Sequence, residues 1–188
     1  MARARKSRKR FWLALVLASV LVLGAVAAAS VWGMYRAYPY DYRAAIEGNA
    51  DLYGQDPLFI AAIVRTESGC KPDAVSGAGA VGLMQIMPET GEWIAKKNNW
   101  EFAPEKLRDG EYNIQLGCWY VDYLSDRFGQ DWTLTLAAYN AGENTVRKWA
   151  GEGRFAPGKY DIPYRETSSF VRKVLNAYEW YQRLYKGR

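Results

Sequence analysis

Between Phe11 and Trp32 the sequence runs FWLALVLASVLVLGAVAAASVW without one charged side chain. As a helix rising about 1.5 Å per residue, this stretch reaches the roughly 30 Å of a bilayer's hydrocarbon core. A helix that is apolar on every side needs either a protein core around it or lipid. Arg3, Arg5, Lys6, Arg8, Lys9 and Arg10 lie just before the stretch, and the first acidic residue of the chain is Asp41. The positive-inside rule then predicts a cytoplasmic basic tail over residues 1–10, a transmembrane signal-anchor over 11–32, and everything beyond it outside the membrane. A secretory signal peptide cut near Ala27, Ala28 and Ala29 is the other reading. The apolar stretch exceeds the about 7–15 residues usual for a signal core, which favours the uncleaved anchor.

The same tail accounts for the net charge of +5, from 25 basic and 20 acidic side chains. Without it the chain is close to neutral, so the outer part lacks the basic footprint of a nucleic-acid binder. The chain has no histidine. That excludes Ser-His-Asp and Cys-His nucleophiles and imidazole-ligated zinc hydrolases, and leaves carboxylates, tyrosines, amides and hydroxyls to carry any chemistry. No metal site and no cofactor are expected. The two cysteines, Cys70 and Cys118, lie 48 residues apart. In an oxidising compartment they are expected to pair, a bridge contributing about 3 to 4 kcal/mol on the chain-entropy model; two buried free thiols are the alternative.

After a short linker at 33–37, residues 38–188 read as one domain with helical punctuation and almost no two-residue alternation, hence all-α. Helices are expected over 41–53, from Asp56-Pro57 to Gly69, over 88–97, 111–128, 133–141, 143–149 and 168–185. Asp56 and Pro57 form an N-cap followed by a proline at the first helical position. Two irregular stretches separate these helices, CKPDAVSGAGAVGLMQ and GEGRFAPGKYDIPYRE.

On the helix after Pro57, Ile60, Ile63 and Val64 mark an apolar stripe, and the next position on it is Glu67. A carboxyl on a core-facing stripe loses water, which disfavours its charged form and keeps it protonated near neutral pH, as a general acid must be. Pairing with a cation such as Arg65, or turning outward at a frayed helix end, would remove that property. Periodicity alone leaves both open.

Glu67-Ser68-Gly69, Ser76, Gly82-Leu83-Met84-Gln85-Ile86-Met87-Pro88, Ala138-Tyr139-Asn140-Ala141-Gly142, and Ile162-Pro163-Tyr164 with Glu166-Thr167 occur in that order. This set resembles the soluble lytic transglycosylase family of lysozyme-like domains over about residues 38–186. The resemblance implies a lysozyme-like, goose-lysozyme-like fold and cleavage of the β-1,4 bond between N-acetylmuramic acid and N-acetylglucosamine in peptidoglycan. It implies Glu67 as the sole acid/base, and Ser76, Gln85, Met87, Tyr139 and Glu166 as residues lining the cleft. Asn140 shares the AYNAG motif, where it orders the turn or touches sugar. The family usually has a tyrosine four residues after the last glutamate, where this chain has Phe170.

One carboxyl suffices for the reaction so implied. Glu67 protonates the leaving oxygen and then takes the proton of the muramyl C6 hydroxyl, which closes a 1,6-anhydro ring. Ordinary glycosidases need two carboxyls to hold or activate a separate nucleophile, whereas an intramolecular hydroxyl arrives at high effective molarity. Two rival readings remain: a goose-type hydrolytic muramidase, with Asp73 as the nearest second carboxylate, and an idle wall-binding scaffold of an envelope machine. The expected partners are glycan strands, the membrane through the first helix and an unspecified envelope assembly, with no nucleic acid. The many tryptophans and tyrosines offer faces on which pyranose rings could stack, but most are expected to pack helices, and Trp119, Tyr120 and Tyr123 are expected to be mainly core.

Overall fold

A computed structural model describes residues 2–156 and 159–187 and divides the chain at Pro39/Tyr40 into two units. The first is a single helix, α1 (Ala2–Ala37). Its described large apolar side chains are exposed: Leu13, Leu21 and Leu23 are all about two-thirds exposed or more. Ser19 and Ser30 donate to the carbonyls of Leu15 and Val26 at 2.9 and 2.8 Å, so neither hydroxyl interrupts the apolar surface with an unmet donor. Among the described residues this is the one helix long and apolar enough to cross a membrane, over Leu15–Ala37. Residues 33–37, expected as a linker, continue the helix without a break.

The second unit is helical: α2 (Arg43–Leu52), α3 (Pro57–Ser68), α4 (Pro88–Asn98), a 3-10 turn (Pro104–Arg108), α5 (Gly110–Arg127), α6 (Trp132–Ala141), α7 (Glu143–Gly151) and α8 (Arg165–Tyr185). A minimal antiparallel hairpin, β1 (Phe155–Ala156) with β2 (Lys159–Tyr160), precedes α8. The 3-10 turn and the hairpin fall in stretches without helical period, and α8 begins three residues earlier than expected, directly after the extended Tyr164.

α3 occupies the centre. Asp56 accepts the Leu58 amide at 2.8 Å, Pro57 opens the first turn, and Gly69 at φ +62° closes the last. The expected stripe is buried, and so are the positions between: Phe59 through Val64 are all in the core. α3 packs most extensively on α8 and also on α2, so its side chains are covered on all sides rather than along one face.

The expected Cys70–Cys118 bridge is not formed. Cys70 sits just past α3 in the left-handed region, half-buried beside Tyr181 of α8. Cys118 is fully buried on α5, near Tyr53 and Tyr139. The two side chains thus have different surroundings, and burial pushes both thiols up, to about 11 and about 12. These are inert, packed thiols.

Candidate active site

Glu67 lies in the last turn of α3, where the core helix emerges. Burial raises its carboxyl from 4.5 to about 7, and no cation offsets the effect. The desolvation argument from the stripe therefore holds, and the competing pairing with Arg65 is not the source of its state.

The loop after α3 is built as a wall. Val75 bridges Val81, and Val81 bridges Ile86, folding residues 74–86 back on themselves. Ser76 closes the glycine turn twice: its amide donates to the Ala80 carbonyl at 2.9 Å, and its hydroxyl oxygen accepts the Ala80 amide at 3.0 Å. Gly82 has φ +85°, and a Cβ there would collide with the Asn113 side chain and the Leu107 carbonyl. Gln85 also lies at positive φ, 48°, held by its own amide nitrogen, which donates to the carbonyls of Gly82 and Ala74 at 2.9 and 3.1 Å. Both Ser76 and Gln85 thus brace this wall; the hydroxyl proton of one and the amide oxygen of the other are what they retain for a ligand. Met87 is the half-buried, extended residue that starts α4.

Tyr139, in the last turn of α6, donates its phenol proton to the Met84 carbonyl at 2.7 Å. Its ring lies parallel to Phe170 of α8, centroids 6.4 Å apart. Burial first, and the charge of Glu67 second, hold the phenol far above its ordinary pKa. Glu67, Tyr139 and the Met84–Gln85 turn are therefore brought together. Asn140 accepts the Thr167 hydroxyl at 2.8 Å, tying α6 to α8. Glu166 is exposed in the first turn of α8. Asp73 is exposed over 82% of its side chain and lies 3.8 Å from Arg108, which makes it a solvated partner of a cation rather than a buried base.

Sequence reasoning missed two components. Asn113 is fully buried on α5. Its oxygen accepts the Met84 amide at 2.7 Å, and its nitrogen donates to the carbonyls of Val81 and Leu107, both at 2.9 Å. The signal was available: Asn113 lies on the stripe of Gly110, Ile114, Gly117 and Val121, a polar residue on a buried face like Glu67. The second is an aromatic shelf. Trp119, Tyr120 and Tyr123, expected as core, are only half-buried and gather around Trp93 of α4 at 5.0 to 6.3 Å between centroids. Trp93, Tyr120 and Tyr123 floor an open groove of about 510 Å³, with Glu89, Thr90 and Asn144 on its rim. Tyr120 connects the groove to Tyr139, 5.5 Å away between ring centroids. Aromatic faces beside carboxylate, amide and hydroxyl groups suit a ring with both apolar C–H faces and hydroxyls.

Among the described residues no group of three His, Cys, Asp or Glu is placed to hold a metal. The model of the Transglycosylase SLT domain family matches residues 44–162. The chain is similar to the soluble lytic murein transglycosylase of Escherichia coli K12, 39% identical over 135 residues, covering 67% of this chain and 20% of that protein. It is also similar to the membrane-bound lytic murein transglycosylase D of the same organism, 34% identical over 145 residues, covering 74% of this chain and 31% of that one. The crystal structure of the 70 kDa soluble lytic transglycosylase of Escherichia coli superposes with a TM-score of 0.76 at 31% identity, over 87% of this chain and 28% of the other. The chain thus spans a fifth to a third of the length of these relatives.

Proposed function

Since the chain belongs to the transglycosylase SLT family, we propose that it is a membrane-anchored lytic transglycosylase, cleaving peptidoglycan between N-acetylmuramic acid and N-acetylglucosamine and leaving a 1,6-anhydromuramyl end. The observation that carries this reading is Glu67, a carboxyl that burial alone raises to about 7 at the end of the core helix. At neutral pH it is divided between its two forms, so it can give a proton and then take one. Protonated Glu67 donates to the glycosidic oxygen as the C1–O bond breaks, leaving an oxocarbenium-like centre. The resulting carboxylate removes the proton of the same sugar's C6 hydroxyl, whose oxygen bonds to C1. The proton balance closes on Glu67, and no water enters.

Tyr139 has a definite part in this scheme. Its proton is committed to Met84, so towards substrate it presents lone pairs, suited to accept the N–H of the acetamido group and hold that group near C1. Ser76, Gln85, Met87, Asn140 and Glu166 line or brace the cleft, and the shelf of Trp93, Tyr120 and Tyr123 receives a further ring of the strand. Hydrolysis with Asp73 as base is not favoured, because that carboxylate is solvated and beside Arg108.

The long, apolar and exposed stretch of α1 and the basic residues before Phe11 support a single-pass anchor with the N-terminus cytoplasmic and the catalytic unit outside. Membrane-proximal or newly made glycan is then the substrate pool. The decisive experiment is a digest of purified peptidoglycan by the full chain in detergent, beside Glu67→Gln. Products one water lighter than reducing ends, absent with the variant, are expected; reducing ends alone would overturn the ring-closing reaction.

A further inference from the structure

A second cavity, of about 370 Å³, lies between the turn before α3, α5 and α6 and shares no lining residue with the aromatic groove. Phe59 and Trp132 form an apolar wall, their rings 4.3 Å apart between centroids, and Trp132 stays 37% exposed at the mouth. Two polar atoms in its lining are buried without a hydrogen-bond partner among the described residues, the Gln55 side-chain oxygen and the Thr135 hydroxyl. Thr135 is only 1% exposed. The Gln55 amide cannot be turned round to relieve this, because its nitrogen donates to the Cys118 carbonyl at 3.1 Å and a carbonyl can only accept. A buried polar atom left unmatched costs on the order of 1 to 3 kcal/mol; the Gln55 oxygen calls for a donor, and the Thr135 hydroxyl can accept from the same group.

The remaining lining fixes the sign of that donor. Asp122 contributes a carboxylate, whose pKa is raised by burial and by the neighbouring Asp126. Asp56 lines the cavity too, already committed to the Leu58 amide and to the Tyr178 hydroxyl at 2.6 Å. No lysine or arginine lines it. Acceptors, an unneutralised carboxylate and aromatic faces together describe a site for a cation with N–H donors and an apolar stem. We propose that this cavity binds a small alkylammonium ion, its stem along Phe59 and Trp132 and its N–H groups on Gln55, Thr135 and Asp122. The volume is at the lower end of small-molecule pockets and accommodates a stem of a few carbons. The site stands apart from Glu67 and does not depend on the reaction assigned to it.

The test uses the full chain, isotopically labelled, in a nonionic detergent, titrated separately with n-pentylammonium, n-pentanol and n-pentanoate. Saturable shifts of the Gln55 side-chain amide and the Trp132 indole are expected with the ammonium ion alone. Asp122→Asn should weaken that binding about tenfold and Thr135→Val two- to threefold, with glycan cleavage unchanged in both. Equal binding of pentanol would reduce the cavity to an apolar void, and absence of saturation with all three probes would remove the site. Should a variant fail to fold, the comparison of the three probes on the native chain decides alone.

Discussion

α1 and α3 each carry a stretch apolar on every side, residues 11–32 and 57–64, and the two stretches differ in burial. Around α3, the neighbouring helices α2 and α8 cover six consecutive side chains. On α1 the large apolar side chains are exposed, Leu21 at 73%. Pattern alone does not separate them; length and flanking charge do. Twelve residues begun by an Asp-Pro cap and closed by a glycine belong to a core, whereas a longer uncharged run behind six cations suits a bilayer. The difference also teaches where chemistry arises. A carboxyl is perturbed where fixed neighbours displace water from the end of a helix, which the packing around α3 provides for Glu67.

The largest expected effect tests what the core helix does at its end. Glu67→Gln should lower glycan cleavage by about 10³-fold or more, and the wild-type rate should fall as pH rises through about 7, where the acid form is lost. Next is the contrast in packing. Ile63→Ala should destabilise the outer unit by about 2 to 5 kcal/mol in denaturant unfolding, while Val22→Ala in α1 leaves the same transition unmoved; equal shifts would break the comparison. Val22→Arg should disfavour membrane insertion by about 3 kcal/mol, read as protein moving from the membrane pellet to the soluble fraction, with cleavage of soluble glycan retained.

A smaller effect follows from proton linkage. Folded Glu67 holds its proton up to about pH 7, whereas the unfolded chain releases it near 4.5. Stability therefore falls between those values as pH rises. Glu67→Gln, which has no proton to lose, should match wild type near pH 4 and exceed it by roughly 3 kcal/mol at pH 8. The smallest effect is expected for Ser19→Ala, less than about 0.5 kcal/mol, because that hydroxyl is already satisfied within α1.

Helices were legible wherever a cap and a period agreed, as at Asp56, Pro88 and Asp131, each at a helix start. Glu67 was legible as an acid on a buried stripe, and the motifs supplied the role proposed for it. What could not be read was pairing between single residues. The bridges of Val75, Val81 and Ile86 form in a stretch of small residues with no repeat to mark them. Nor does a sequence show that Gln85 spends its amide nitrogen on the loop, since either end of that side chain suits either task. The aromatic residues of α5 are half-buried rather than core for a geometric reason: Trp119, Tyr120 and Tyr123 adjoin the buried stripe and pack their rings on Trp93 of α4, itself half-buried. The disulfide was a matter of compartment and count, and neither reports where two side chains point.

Asn113 satisfies all three of its strong bonds inside the protein, joining the loop at Val81 and Met84 to the 3-10 turn and to α5. Met84 is held from the other side as well, its carbonyl taking the Tyr139 proton. The wall beside Glu67 cannot open by itself, since releasing it strands buried donors and acceptors on three elements at once. The Met84 amide should therefore exchange with solvent only when the whole unit unfolds, among the slowest of the chain. So fixed a wall offers a ligand a standing surface to fit rather than a lid that closes.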